Sequence, residues 1–146
     1  MAVLRRKTVT KDYGARRAKN LAMSRDHRKL DVFNLADDMA VRVYAATRDF
    51  PTAEIYGLRS QIRRAAVSVP TNIVEGCARE SDRDYRKFLD IAFGSSREVI
   101  YLLGLASRLD MLDKHIAAEL GLFCGRVAAA LAALRKANKQ ASLRSP

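Results

Sequence analysis

Apolar residues recur at the 3.6-residue spacing of an α-helix from about residue 30 nearly to the end of the chain. The spacing predicts a first helix over residues 30–48. Val32, Leu35, Ala36, Met39, Val43 and Tyr44 face inward on it, and Asp37, Asp38 and Arg42 face outward. Phe50-Pro51-Thr52 ends it, because the residue before a proline avoids the helical region. Thr52 is placed to cap a second helix over residues 53–77, with Glu54 at its positive end. That helix carries the stripe Ile55, Leu58, Ile62, Ala65, Ala66, Val69 and Ile73. Pro70 removes one backbone bond inside it and crowds the carbonyl of Ala66, which predicts a kink.

Gly76 marks the end of the second helix, and Ser81-Asp82-Arg83-Asp84 has the form of a capping box with Asp in place of Glu. A third helix over residues 82–109 then buries Tyr85, Phe88, Leu89, Ala92, Val99, Leu102, Leu103 and Ala106. Gly94, Ser95 and Ser96 in its middle are small enough to admit a neighbouring helix closely. Asp113 opens a fourth helix over residues 114–139. Short links between helices favour antiparallel neighbours. The expected fold is therefore all-α, an antiparallel up-down-up-down four-helix bundle with its second helix kinked at Pro70. Residues 1–29 form a basic extension that need not fold, residues 30–139 the bundle, and residues 140–146 a tail.

The fourth helix departs from a simple amphipathic pattern. Between Ile116 and Leu134 its charged residues are Glu119 and Arg126. That approaches the length of a membrane span, but the two charges, Gly121, Gly125 and the alanine-rich composition argue against insertion. A helix apolar nearly all round is covered on more than one side. The expectation is a homo-oligomer; an alanine-rich outer face is the plainer alternative, since alanine is the best helix former.

Composition narrows the class. The chain has 146 residues, 49% of them hydrophobic, and 2 Cys. It is too apolar for a disordered protein and too poor in cysteine for a disulfide scaffold. The opening MAVLRRK lacks the apolar run of a secretory signal, which leaves a soluble, cytoplasmic domain as the expectation. The formal net charge is +11, and an anionic partner is its first implication. Its placement changes that picture: residues 1–29 hold 10 cations against Asp12 and Asp26, and Arg135, Lys136, Lys139 and Arg144 add four near the end. The stretch between them is near neutral. A basic tail binds phosphate backbones by counterion release without reading sequence, or serves only as a solubilising extension. Translation from Met23 instead of Met1 would remove much of it.

Candidate chemistry is sparse. Gln61, Arg64, Ser68, Asn72, Glu75 and Arg79 follow one another at three or four residues and share a face of the second helix. This seam is either a solvated face, a polar subunit interface or an anion site. Arg59, Arg63 and Arg64 form a basic patch able to meet phosphate or to pair with acids of another helix. His115 and Glu119 stand four apart, but two ligands do not make a zinc site. Cys77 and Cys124 are isolated and read as buried, inert thiols. The runs GCARES and GLRSQIR lack the pattern of a phosphate loop, and no cofactor motif appears.

Two blocks carry a family resemblance. Phe50-Pro51 followed by residues 54–76, EIYGLRSQIRRAAVSVPTNIVEG, is similar to the signature of the 23S rRNA intervening-sequence proteins, a bacterial four-helix bundle family. Residues 85–98, YRKFLDIAFGSSRE, resemble its second block. The resemblance implies a four-helix bundle and a ring-shaped homopentamer. More distantly, the chain resembles the accessory variability proteins of diversity-generating retroelements, which work with nucleic acid through a basic surface. Some members of the intervening-sequence family are encoded within inserts of ribosomal RNA genes, which points to RNA. The combined expectation is a non-enzymatic, homo-oligomeric bundle without metal or cofactor. It would contact RNA phosphates through Arg59, Arg63, Arg64, Arg79, Arg83, Arg86 and Lys87, together with the basic tails where they are translated. A protein-interaction scaffold with no nucleic-acid role competes with it, supported by the near-neutral middle of the chain.

Overall fold

A computed structural model describes residues 25–144, and the expectations for residues 1–24, including the alternative start at Met23, lie outside them. Four helices make up the fold: α1 (Asp31–Ala46), α2 (Leu58–Cys77), α3 (Asp82–Arg108) and α4 (Lys114–Arg144). Short 3-10 turns occupy His27–Lys29 and Thr52–Glu54, and no strand occurs among the described residues. Each helix packs on two others, α1 on α2 and α4, and α3 on α2 and α4, as in a bundle around one core. Helices α2 and α3 run in opposite senses, since Gln61 meets Glu98, Ser68 meets Ser95, and Gly76 lies against Phe88.

The core is the set of stripes read from the spacing. Met39, Val43, Ile62, Val69, Ile73, Leu89, Val99, Leu103, Val127 and Leu131 are all buried. Each such side chain stabilises the fold by roughly 1.5–3 kcal/mol relative to exposure. Three expected core positions are not in it, the first being Phe88, which is only half-buried with the Arg79 guanidinium over its ring. Tyr44 and Ile55 are exposed, Tyr44 because Arg63 stacks on its ring from outside, and Ile55 because it precedes the helix proper.

Helix boundaries follow local chemistry. Ser81 Oγ accepts the Asp84 N–H at 3.0 Å and donates to Asp84 Oδ2 at 2.9 Å. The Asp side chain thus bonds the capping hydroxyl, not the backbone N–H that a longer Glu reaches in a full capping box. Asp113 Oδ1 accepts N–H groups from His115 at 2.8 Å and Ile116 at 3.2 Å, and these bonds hold its carboxyl below the usual carboxylate range. The start of the second helix is different from the expectation. Thr52 belongs to a 3-10 turn and caps nothing, and α2 begins only at Leu58, whose N–H donates to Glu54 Oε2 at 2.7 Å. A Cβ on Gly57 would collide with that carboxylate, so glycine is required for Glu54 to act as the cap.

Helix α2 runs on through Pro70, which is buried. Beside the bond that the proline ring forfeits, two side chains turn back onto carbonyls one turn earlier. Thr71 Oγ1 donates to the Val67 carbonyl at 2.8 Å, and Asn72 Nδ2 to that of Ser68 at 2.7 Å. Close approach of α2 to α3 occurs at Gly76, where an added Cβ would lie 3.0 Å from Phe88 Cβ. Gly94, expected to serve that purpose, has nothing within 4 Å of its Cβ direction. Ser96 does face the core, fully buried, with its hydroxyl donating to the Phe93 carbonyl at 2.7 Å.

Both ends of the described residues are tied to the bundle. Helix α4 continues past Lys139 to Arg144. At the other end the Arg25 N–H donates to the Cys77 carbonyl at 3.2 Å, and its guanidinium lies 4.2 Å from the Tyr85 ring centroid while pairing with Asp82. Residues 25–29 are therefore docked on the α2–α3 corner and are not part of a free tail.

Candidate nucleic-acid interface

The polar face of α2 is an inter-helix seam. Gln61 Nε2 donates to Glu98 Oε1 at 2.8 Å, and Arg64 Nη2 donates to Gln61 Oε1 at 2.9 Å. One turn on, the Ser68 and Ser95 hydroxyls are 2.9 Å apart, and Asn72 Nδ2 reaches Ser68 Oγ at 3.0 Å. Gln61, Ser68 and Asn72 are half-buried. Glu75 pairs with Arg79 at the exposed end. Pairing of polar groups across a half-buried contact avoids the roughly 1–3 kcal/mol cost of an unsatisfied group. The seam is thus satisfied within the chain, which removes most of the case for reading it as a reaction centre.

The seven cations flagged in the sequence fall into two groups. Arg59, Arg63 and Arg64 lie near the start of α2, whereas Arg79, Arg83, Arg86 and Lys87 lie around the α2–α3 corner. At about 1.5 Å per residue, Arg59 and Arg79 are roughly 30 Å apart along the helix axis. The set is not one patch.

Arg63 is committed to the fold. Its Nε donates to Thr47 Oγ1 at 2.9 Å, its Nη2 to the Tyr44 carbonyl at 3.2 Å, and the guanidinium sits 4.4 Å from the Tyr44 ring centroid. A cation on the last carbonyls of α1 complements that helix end, and Thr47, fully buried, is satisfied by it and by the Val43 carbonyl. Burial, followed by the charge of Arg59, lowers the Arg63 pKa.

The corner cations are held more loosely. Arg79 pairs with Glu75 and stacks on Phe88 at 4.5 Å, and Lys87 Nζ lies 2.8 Å from Asp84. Both pairs are exposed and contribute only about 0–1 kcal/mol each, so exchange of either acid for a phosphate costs little. Arg83 forms no ion pair among the described residues, and Arg86 has a buried Nη1 with no hydrogen-bond partner.

Helix α4 supplies cations to the same end of the molecule. Arg135 Nε lies 2.6 Å from Asp90 Oδ1, and its guanidinium is 4.4 Å from the Phe93 ring centroid. Arg135, Lys136 and Lys139 fall inside the expected fourth helix but entered the sequence reading only as charge near the end of the chain; the fold sets Arg135 against Asp90 and Phe93 of α3. The signal that finds them is the apolar stripe of α4, which continues through Leu134 beside these cations.

Other chemistry is thin. Among the described residues no group of three or more His, Cys, Asp or Glu lies together as a metal site. Cys77 and Cys124 are buried and form no disulfide. Burial pushes the Cys77 thiol up, and the Cys124 thiol to about 12, so neither is a thiolate near neutral pH. Helix α4 is long and apolar enough to cross a membrane by length and composition, but Leu120, Phe123, Cys124, Val127, Ala128 and Leu131 along it are buried in the bundle core.

These features define an all-helical bundle protein with a basic corner and no assembled catalytic centre among the described residues. The model of the 23S rRNA-intervening sequence protein family matches residues 28–133, more than half of the chain, and the protein belongs to that family. A solved structure similar to it is a protein of unknown function from the S23 ribosomal protein family of Bacteroides thetaiotaomicron VPI-5482. The TM-score is 0.67 at 22% identity, over 72% of this chain and 95% of that one. At that identity the likeness speaks for the fold alone. No match to a curated protein is found.

Proposed function

We propose that this protein is a non-enzymatic, cytoplasmic, homo-oligomeric bundle that binds RNA through its phosphate backbone. The observation that carries the reading is the basic α2–α3 corner, where Arg83 forms no ion pair among the described residues and Arg79 and Lys87 are only weakly held; Arg86 extends it toward α4. Such contacts give affinity and orientation without sequence specificity. The family's association with ribosomal RNA genes agrees with it, and Arg59 and Arg64 at the far end of α2 extend the surface. The oligomer is supported by the apolar outer surface, where Leu122 is 76% and Val41 64% exposed. The pentamer implied by the family resemblance is the assembly this reading carries.

The test is the affinity for a single-stranded RNA against salt, for the full chain and for a version starting at Met23. Each phosphate contact adds about 0.7 to the slope of log affinity against log salt. A slope of ~2 or more retained without residues 1–22 is the expected result. A slope that disappears with them overturns the corner as the binding surface. Recovery of a specific protein partner after nuclease treatment would instead favour the scaffold reading, which the exposed Tyr56, Val41 and Leu122 support.

A further inference from the structure

Arg86 and Asp90 of α3 and Arg135, Lys136 and Lys139 of α4 line a groove of about 650 Å3 between the two helices. Four cations meet one carboxylate there, and that carboxylate is already held by Arg135 Nε at 2.6 Å. Arg135 stacks on Phe93, and its Nη donors make no hydrogen bond among the described residues. Arg86 Nη1 is buried without a hydrogen-bond partner among the described residues. An unsatisfied buried donor costs about 1–3 kcal/mol, and more when charged. The helix macrodipole does not account for the cluster, because its effect is confined to the last turn, whereas Arg135 and Lys136 lie well before Arg144 at the helix end.

We propose that this groove is a phosphate subsite. Arg135 presents a planar fork suited to a phosphate, Arg86 supplies the buried donor, and Lys136 and Lys139, neighbours on one helix face, add point charges. The ligand is the phosphodiester backbone of RNA, which rests on the reading proposed above. The groove lies on the α3–α4 side and adds three cations, Arg135, Lys136 and Lys139, to the seven named individually from the sequence.

The experiment uses the full chain, a 20-nucleotide poly(U) and inorganic tripolyphosphate as probes. Replacement of Lys136→Ala with Lys139→Ala should lower the salt slope for poly(U) by about 1.4, weakening binding more than about tenfold at 0.1 M salt. Arg108→Ala with Lys114→Ala removes the same charge at the opposite end and should change the slope by less than half as much. Arg86→Gln should weaken both probes, and its helical circular dichroism shows whether it is folded; the lysine pair does not depend on it. RNA binding that is equally salt-dependent in the Lys136/Lys139 variant overturns the groove and leaves the RNA reading standing. Tripolyphosphate that stabilises the parent but not that variant, with no RNA bound by either, keeps the groove as a site for free phosphate and overturns the RNA reading. Failure of the parent to bind either probe overturns both.

Discussion

The two sides of α3 contrast. Toward α2 it meets a contact in which polar groups find partners: Gln61 with Glu98, Ser68 with Ser95 and Asn72, and Gly76 against the Tyr85 and Phe88 side chains. Toward the C-terminal half of α4 it meets a groove in which four cations share one carboxylate and one guanidinium nitrogen is left unpaired. A half-buried contact that is fully satisfied contributes stability and leaves nothing for a ligand. An under-satisfied one gives up stability, and the shortfall is available to a binding partner.

Several measurements would break or sharpen this contrast. Leu89 is fully buried on the helix common to both sides. Leu89→Ala should cost about 2–5 kcal/mol in denaturant unfolding and remove both sides together. Gly76→Ala acts on the closed side alone, placing a Cβ 3.0 Å from Phe88 Cβ and 3.2 Å from Tyr85 Cδ2. It should destabilise by about 1–3 kcal/mol. Gly94→Ala is its foil: with open space at that position the same change should stabilise by about 0.5–1 kcal/mol. A stabilising Gly76→Ala would show that α2 and α3 are less tightly apposed than the contact suggests.

Ser68→Ala should cost about 0.5–1.5 kcal/mol, because Ser95 and Asn72 lose their shared partner. Lys136→Ala and Lys139→Ala should each stay within about 0.5 kcal/mol of the parent. Equal losses at Ser68 and the lysines would erase the distinction between the two sides. Acid should affect the helix starts. Asp84 is held below the ordinary carboxylate value of 3.8 chiefly by Lys87 and Ser81, and Asp113 by the Ile116 and His115 N–H groups. A depressed folded pKa contributes stability that is complete above the unfolded value and is lost as pH falls through the folded one. Melting temperature should therefore drop below about pH 4, and less steeply for Asp113→Asn than for the parent.

Much of the fold was legible because helical spacing exposes which residues face inward. Met39, Ile62, Leu89 and Leu103 were assigned to the core from spacing alone, and all four are buried. The start of α2 was not, since the Thr52 cap and the Glu54 cap are equally plausible until Gly57 is seen to admit the carboxylate. The seam was legible as a polar line on one helix, but whether it faced water or α3 depended on residues such as Ser95 and Glu98 that are distant in sequence. The groove was illegible for the same reason in stronger form. Arg86 and Arg135 are brought together only by packing, and a charge count by sequence position gives Arg135 no neighbour on the third helix.

The docking of Arg25 on the Cys77 carbonyl and the Tyr85 ring carries one more consequence. It fixes the point at which the preceding 24 residues, with seven cations and one acid, join the bundle. That point is the α2–α3 corner, at the same end as Arg79, Arg83 and the C-terminal half of α4. Arg25, Arg79, Arg83, Arg135 and Lys136 thus load that end of the bundle with positive charge. A lopsided charge exerts a torque in the field of a polyanion and turns the molecule during diffusion, raising the fraction of collisions that arrive basic end first. Added salt would then slow the rate of encounter before it loosened any contact once made.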